Sequence, residues 1–191
     1  MNYVLASKSP RRKELLQLLG ISFEIKVSEE EEVITSNDPI ATTEELALKK
    51  AKAVAAGFDE GIVIGADTVV TFCGEILGKP SDQSDARRMI TMLQGNSHMV
   101  YTGVSLVDAA TGYCTCFHVG TKVIVSSMSE EEIEEYISSE EPYDKAGSYG
   151  IQGSFSRYIE GIEGDYFNVV GLPIHELYEK LKRFNLLIKK S

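Results

Sequence analysis

The order of apolar and polar positions predicts alternating strands and helices in the first half of the chain. Short apolar or alternating runs bounded by turn residues are typical of strands, whereas apolar positions three or four residues apart are typical of helices. The predicted elements are a strand over residues 3–6, a helix from Ser9 to Gly20, a strand over 23–27, a helix opened by Thr42 and Glu45 and ending near Ala56, a strand over 61–72, a turn at Gly74 with a further strand at 76–77, and a helix over 82–93.

The second half has longer strands and a glycine-rich segment. Two β-branched runs separated by a turn at 110–112 predict a hairpin. The predicted elements are hairpin strands over 98–107 and 113–126, a helix over 129–137 opened by the capping box of Ser129 and Glu132, a glycine-rich stretch over 147–164, a strand over 165–170 and a closing helix over 173–184. No linker or repeat marks a boundary, so we predict one α/β domain over residues 1–191, with a mixed sheet flanked by helices.

Charge and composition narrow the function classes. The chain has 29 acidic and 19 basic residues and a formal net charge of −10. Such a field repels nucleic acid and anionic membranes, so neither is expected as a partner. No apolar run reaches the roughly 20 residues that a membrane helix needs, and the N-terminus does not have the pattern of a signal peptide. Three cysteines, an odd number, fit a reducing compartment, so we expect a cytoplasmic protein.

Cations gather at the first predicted strand-to-helix turn. Ser9 is a predicted N-cap, so Arg11 and Arg12 fall in the first turn of the helix, where free backbone N–H groups and the helix dipole favour anions. Cations are unfavourable at this end of a helix unless an anion is present. Together with Ser7, they predict a phosphate-binding turn. The alternative is a solvated basic face.

Asp67 interrupts a run that otherwise predicts a strand buried on both faces. Burying a carboxylate without partners costs several kcal/mol, so such a group is paired, metal-bound or shifted in pKa. Perturbed carboxylates cluster at functional sites, which favours a catalytic or metal-binding Asp67. The alternative is an aspartate at the end of the sheet that caps a loop.

Lys50 lies on the apolar stripe of its predicted helix, four residues from both Leu46 and Val54. The side chain could extend its ammonium to water, as lysines on apolar faces often do. It could equally project into a polar cleft that carries negative charge. The residue pattern leaves both possibilities open.

Two glycine-containing segments complete the candidate chemistry. Gly78-Lys79-Pro80 lacks the length and the Ser/Thr of a Walker A loop, but it places a lysine on a stiff turn. Residues 144–153 contain three glycines among polar groups, which allows backbone to approach a ligand closely. A glycine-rich surface loop without function is the alternative.

Taken together, these motifs resemble those of the Maf family. Four blocks occur in the family's order and span essentially the whole chain: Ala6-Ser7-Lys8-Ser9-Pro10-Arg11-Arg12, Gly65-Ala66-Asp67-Thr68, Gly78-Lys79-Pro80 and Asp144-Lys145-Ala146-Gly147-Ser148-Tyr149-Gly150-Ile151-Gln152-Gly153. The resemblance implies a fold similar to that of inosine triphosphate pyrophosphatases, with two lobes around a cleft, and a homodimer. It also implies hydrolysis of a nucleoside triphosphate to the monophosphate and pyrophosphate with Mg²⁺ or Mn²⁺.

The resemblance also implies roles for individual residues. Asp67 corresponds to the proton acceptor. Because Mg²⁺ prefers carboxylate ligands, Asp67 and Glu32 are also the candidate metal ligands, with Glu31 as an alternative to Glu32 in the acidic run. The sequence leaves open whether Asp67 is base, metal ligand or both. Arg11, Thr68 and Gln152 correspond to residues that mark the subgroup acting on dTTP and UTP. The implied substrate-binding residues are Ser7, Arg11, Arg12, Glu32, Lys50, Thr68, Lys79 and Gln152.

Two other functions remain as alternatives. One is the family's subgroup that acts on 7-methylguanosine triphosphate, against which the three subgroup residues argue. The other is a nucleotide-binding regulator of septum formation, because the family is also associated with septum inhibition.

Overall fold

The chain forms a mixed α/β structure. In a computed structural model, residues 2–27 and 36–188 are described. Their strands are β1 Tyr3–Leu5, β2 Phe23–Ile25, β3 Ile62–Phe72, β4 Glu75–Leu77, β5 Ser97–Asp108, β6 Cys114–Val125 and β7 Ile159–Glu163. Their α-helices are α1 Pro10–Gln17, α2 Pro39–Ala55, α3 Gln83–Leu93, α4 Glu130–Ile137, α5 Tyr166–Val170 and α6 Ile174–Ile188. Among these residues, no helix combines the length and apolarity that crossing a bilayer needs.

The predicted mixed sheet is confirmed. Its strand order is β2-β1-β3-β5-β6-β7, and β4 pairs with β3. β1 is parallel to both β2 and β3, whereas β4 is antiparallel to β3 and β7 is antiparallel to β6. A sheet with both kinds of pairing follows from the order of elements, because helices connect β1 to β2 and β2 to β3, whereas a tight turn connects β3 to β4.

Internal contacts divide the chain into two compact units. Unit 1 comprises residues 1–67, 102–119 and 171–191, and unit 2 comprises residues 68–101 and 120–170. The strands β3, β5 and β6 each contribute residues to both units.

Helix α2 packs with β1, β3 and β5 in the core of unit 1. Its buried residues Ala51 and Val54 pack with Val4 of β1, Val63 of β3 and Val107 of β5. These are small or β-branched side chains, which allow a helix to lie close to a sheet.

The core of unit 2 is more aromatic. Tyr136 of α4 and Tyr149 both contact the ring of Phe155, with centroid distances of 5.0 and 4.8 Å. The Tyr158 ring packs edge-on against Phe155 at 5.6 Å. These rings pack in one cluster with the apolar faces of α3 and α4.

One predicted helix start and one predicted strand are wrong. Helix α2 begins at Pro39 with Asp38 as its N-cap, and the side chain of Thr42 bonds the Ser36 carbonyl instead of capping the helix. Residues 166–170 form α5 and not a strand, because the Asp165 carboxylate accepts a hydrogen bond from Phe167 N at 2.8 Å and starts a helical turn. In both places a local cap outweighs the sequence pattern.

Candidate active site

The turn between β1 and α1 is held by its own serines and by Arg12. Ser9 caps α1 by accepting a bond from Arg12 N at 3.4 Å, and Ser7 Oγ accepts one from Ser9 N at 3.2 Å. The Arg12 guanidinium donates to Ser7 Oγ at 3.4 Å and to the carbonyl of Gly171 at 2.9 Å. Arg11 is half-buried beside it. The turn is thus ordered by the protein itself, which suits an anion site that need not rearrange on binding.

A buried ion pair joins α2 to β3. The Asp67 side chain is 9% exposed and that of Lys50 is 13% exposed, and Lys50 Nζ lies 2.6 Å from Asp67 Oδ1. Lys50 therefore does not extend to solvent, which decides between the two possibilities left open by its position on the apolar stripe. The ammonium offsets the carboxylate charge, and this permits both groups to be buried.

Two glycines in β3 and β5 explain how α2 comes so close to the sheet. A Cβ at Gly65 would lie 2.2 Å from the Ala47 carbonyl oxygen, and one at Gly103 would lie 2.4 Å from the Thr43 carbonyl carbon. Only a residue without a side chain allows backbone to meet backbone at this separation. The α2 backbone therefore rests on β3 and β5, and Lys50 is brought within hydrogen-bond distance of the strand.

The predicted phosphate-binding turn and Asp67 lie towards the same edge of the sheet in unit 1. Leu5 pairs with Ile64 in parallel register, and Ala6 N donates to Ile64 O at 2.8 Å. Ser7 and Asp67 follow that pair by two and three residues along neighbouring strands. In parallel sheets this carboxyl edge is where ligands bind.

Thr68, the Gly78-Lys79-Pro80 turn and the glycine-rich segment all lie in unit 2. Gly147 N donates to the Gly78 carbonyl at 3.0 Å, so the glycine-rich segment is bonded to the turn that carries the exposed Lys79. Gly147 has a φ of +68°, and a Cβ there would lie 2.9 Å from the Val70 side chain. Val70 is two residues from Thr68 on β3. The segments that carry Thr68 and Lys79 are thus both in contact with one glycine.

Gln152 is exposed on a four-residue turn. The turn runs from Gly150 to Gly153 and is closed by a hydrogen bond from Gly153 N to Gly150 O at 3.1 Å. The side chain of Glu141 lies directly against it and bonds Ser154 N at 2.7 Å. Sequence reasoning missed Glu141, because a glutamate in an acidic stretch carries no signal of such a contact.

A buried histidine was also missed. His98 is 3% exposed, and its Nε2 lies 2.6 Å from the hydroxyl of Tyr149. Burial lowers the pKa of His98 to about 4 and raises that of Tyr149 above its ordinary value. Both side chains are therefore neutral at neutral pH, and they tie β5 to the glycine-rich segment of unit 2.

The predicted residues thus fall into two groups. Unit 1 contains Ser7, Arg11, Arg12, Lys50 and Asp67, and unit 2 contains Thr68, Lys79 and Gln152. Direct contacts join Ser7 to Arg12 and Lys50 to Asp67. Glu32 and its alternative Glu31 lie outside the described residues.

The described part of the chain contains no group of three or more His, Cys, Asp or Glu residues able to hold a metal. Of the two predicted metal ligands, Asp67 alone is described. Its carboxylate suits Mg²⁺, which takes one or two carboxylates and completes its coordination with waters and substrate phosphates.

Two solved structures have a distant likeness to this chain. The nucleoside-triphosphatase / dITP/XTP pyrophosphatase of Mycobacterium abscessus is 14% identical, with a TM-score of 0.44 and coverage of 67% of this chain and 76% of that one. The Ham1 protein of Staphylococcus aureus is 13% identical, with a TM-score of 0.49 and coverage of 83% and 93%. Scores and identities this low assign no function.

Similarity in sequence is much stronger. A protein of Bacillus cereus named dTTP/UTP pyrophosphatase is 51% identical over 184 residues, which cover 96% of this chain and 95% of that protein. A protein of Agathobacter rectalis with the same name is 48% identical over 199 residues and covers 96% and 97%. Residues 2–184 match the family described as Maf-like protein. The chain therefore belongs to the Maf-like protein family.

Proposed function

We propose that this protein is a nucleoside triphosphate pyrophosphatase that hydrolyses dTTP and UTP, or modified pyrimidine nucleotides, to the monophosphate and pyrophosphate. Relatives about half identical in sequence carry the name dTTP/UTP pyrophosphatase. The observation that carries the proposal is the buried pair of Lys50 and Asp67. A fold needs no such pair for stability, because a well-packed apolar pair of similar volume is often at least as stable.

Charge balance supports a triphosphate substrate. The protein has a formal net charge of −10, so it must concentrate cations where the phosphates bind. Arg11 and Arg12 supply them at the N-terminus of α1, where the helix dipole adds to their effect. Lys50 and the exposed Lys79 supply two further charges in this proposal.

Asp67 acts as the general base. A water beside its carboxylate loses a proton to Asp67 and attacks the α-phosphorus, and the bond from that phosphorus to the bridging oxygen breaks. Pyrophosphate leaves with the negative charge that develops on the bridging oxygen, and the lysines and arginines stabilise that charge. Lys50 holds the carboxylate in place through the 2.6 Å contact.

Mg²⁺ or Mn²⁺ is proposed as the cofactor. Asp67 and Glu32 would hold it, together with phosphate oxygens. When bound, such an ion neutralises phosphate charge and polarises water. Asp67 would then serve as metal ligand and base in one.

Thr68 and Gln152 are proposed to select the base. A glutamine amide offers both a donor and an acceptor, which matches the alternating edge of uracil or thymine. The exposure of Gln152 in the described structure leaves that amide accessible to a ligand.

Location and assembly are proposals as well. The three cysteines Cys73, Cys114 and Cys116 are all free thiols, which fits the reducing cytoplasm. A homodimer is proposed from the family resemblance alone. Light scattering of the purified protein measures the assembly directly.

The test is pyrophosphate release from dTTP, UTP, CTP, GTP and 7-methyl-GTP with Mg²⁺ or Mn²⁺. We expect dTTP and UTP to be preferred, and Asp67→Asn to lower kcat by roughly 10²–10⁴-fold, the usual contribution of a general base. Asp59→Asn, at an exposed aspartate of the same unit, serves as the matched control.

Other outcomes would overturn particular parts of the proposal. Preference for 7-methyl-GTP would move the chain to that subgroup. No release by folded, nucleotide-binding protein would favour a regulator of septum formation. Full activity of Asp67→Asn would remove the carboxylate from the mechanism.

A further inference from the structure

The turn that carries Gln152 has little regular structure to hold it. It is closed by the single backbone hydrogen bond between Gly153 and Gly150 and is followed by a short 3-10 turn over Ser154–Tyr158. Glycines on both sides of Ile151 and Gln152 give this backbone more freedom than other residues would. Its position must therefore be set by contacts with other segments of unit 2.

The carboxylate of Glu141 provides several of these contacts. Its Oε2 accepts hydrogen bonds from the backbone N and the hydroxyl of Ser154, both at 2.7 Å. Its Oε1 accepts from the Tyr136 hydroxyl at 3.2 Å and from Phe155 N at 3.4 Å. Tyr136 is buried, and its single hydroxyl proton is shared between Glu141 Oε1 and the Ser148 carbonyl oxygen, each 3.2 Å away, so the network is anchored in the core of unit 2.

The two glycines of the turn rest on the same short segment. A Cβ at Gly153 would lie 2.0 Å from Glu141 Oε1, and a Cβ at Gly150 would lie 2.8 Å from Lys145 Cε. The Lys145 side chain is itself held in place, because its ammonium donates a hydrogen bond to the Glu141 carbonyl at 2.6 Å. The turn that carries Gln152 is thus supported at both ends by residues 141–145.

The contacts of Glu141 depend on its being an ionised carboxylate. Burial by itself raises the pKa of Glu141, but the hydrogen bonds from Ser154, Phe155 and Tyr136 outweigh it and hold the pKa below its ordinary value. The group is therefore a carboxylate at neutral pH and can only accept hydrogen bonds. Since both oxygens already accept bonds from the protein, it is better suited to hold the loop than to bind substrate.

We propose that Glu141 is a positioning residue for base selection, which acts by fixing the turn that presents Gln152 to the nucleotide. The proposal rests on the function proposed above and extends it to a residue that touches neither substrate nor reacting atoms. Gly150 and Gly153 contribute to the same arrangement, because a Cβ at either position would displace the Lys145 or Glu141 side chain that lies against the turn.

The test compares Glu141→Gln with Glu140→Gln, a change at the exposed neighbouring glutamate. The glutamine amide has nearly the same shape, but it places an NH₂ group against the N–H and O–H donors of Ser154. We expect KM for UTP and dTTP to rise by roughly tenfold while kcat falls far less, because a misplaced binding group weakens recognition before chemistry. Glu140→Gln should match the wild type.

Two further measurements separate positioning from general stability. The preference for UTP over GTP in kcat/KM should fall in Glu141→Gln, and backbone amides of residues 150–155 should exchange faster with solvent. In a Gln152→Ala background the same substitution should have little additional effect on KM, because the turn then presents no base-reading group. Ser154→Ala removes one of the hydrogen bonds and gives a milder version of the same changes if Glu141→Gln fails to fold.

The outcomes are distinguishable. Unchanged KM, unchanged UTP preference and unchanged exchange in Glu141→Gln would overturn the inference, and so would a KM effect that adds fully to that of Gln152→Ala. A wild-type protein that cleaves no nucleotide would overturn the proposed function instead. Faster exchange confined to residues 150–155 would still show Glu141 fixing the turn in that case.

Discussion

The two groups of candidate residues are supported in different ways. In unit 1, Lys50 and Asp67 stand on a helix and a strand, and two glycines allow those elements to touch. In unit 2, Gln152 stands on an irregular turn held by a glutamate carboxylate and a lysine. Catalytic groups are positioned more precisely on helices and strands than on loops. A loop held by hydrogen bonds, in contrast, allows substrate specificity to change by substitution without altering the fold.

The largest effect is expected from Lys50→Met. Removing one partner of a buried pair leaves a carboxylate without compensation, which costs roughly 3–5 kcal/mol of unfolding free energy. Activity should fall by at least about 10²-fold, because Asp67 loses its support and the phosphates lose a cation. Denaturant unfolding and pyrophosphate release measure the two effects.

The exposed Lys52, on the same helix, provides the control for that prediction. Lys52→Met should leave both measurements near the wild-type values. Wild-type stability in Lys50→Met would mean that the ion pair contributes nothing to unit 1, and the contrast with unit 2 would be lost.

The next effect concerns unit 2 and depends on pH. The pKa of His98 is about 4 in the folded protein against an ordinary value of 6.5, so the unfolded chain takes up a proton first as the pH falls. The contribution of His98 to stability is complete above pH 6.5 and is lost as the pH falls towards 4. That loss should be on the order of 3 kcal/mol.

Comparison with His98→Asn isolates this contribution from that of the titrating carboxylates. The difference in unfolding free energy between wild type and variant should shrink steadily between pH 6.5 and 4. A difference that stays constant with pH would mean that His98 can take up its proton in the folded protein.

A smaller effect is expected where α2 lies on β3. Gly65→Ala places a methyl group 2.2 Å from the Ala47 carbonyl oxygen and must push the helix outward. Overpacking of this kind costs about 2 kcal/mol, and activity should fall with it because Lys50 moves away from Asp67. Gly57→Ala, where the nearest atom is an ordinary 3.5 Å away, is the control in the same unit.

Stability and activity are to be measured together in the Gly65→Ala variant. Lost stability with full activity would separate the close approach of α2 from the chemistry of the Lys50–Asp67 pair. Unchanged stability would show that the helix shifts at no cost.

The smallest effect in free energy is expected for Gln152→Glu. Replacing the amide by a carboxylate removes the donor that would face the base, and the UTP-over-GTP ratio of kcat/KM should fall by about tenfold. Repulsion of the triphosphate affects both substrates and cancels in the ratio. Gln83→Glu adds the same charge at an exposed position and should leave the ratio unchanged. An unaltered ratio in Gln152→Glu would remove Gln152 from base selection.

Much of the fold could be predicted because its signals are local. The β-branched run over β3 and the capping box of Ser129 and Glu132 both mark elements found in the structure. The errors arise where a nearby cap competes with the pattern, as when Asp38 starts α2 before Thr42 and Asp165 starts a helix in place of a strand. Caps depend on backbone geometry that the pattern of apolar residues does not contain.

The chain's own sequence was sufficient to single out Asp67, Lys50 and the serine-arginine turn, because a charge inside an apolar run is visible without any coordinates. Only the tertiary structure decided that Lys50 meets Asp67 and that Glu141 supports the turn of Gln152. Those contacts join residues far apart along the chain, and they depend on glycines whose missing side chains matter only once another backbone lies against them.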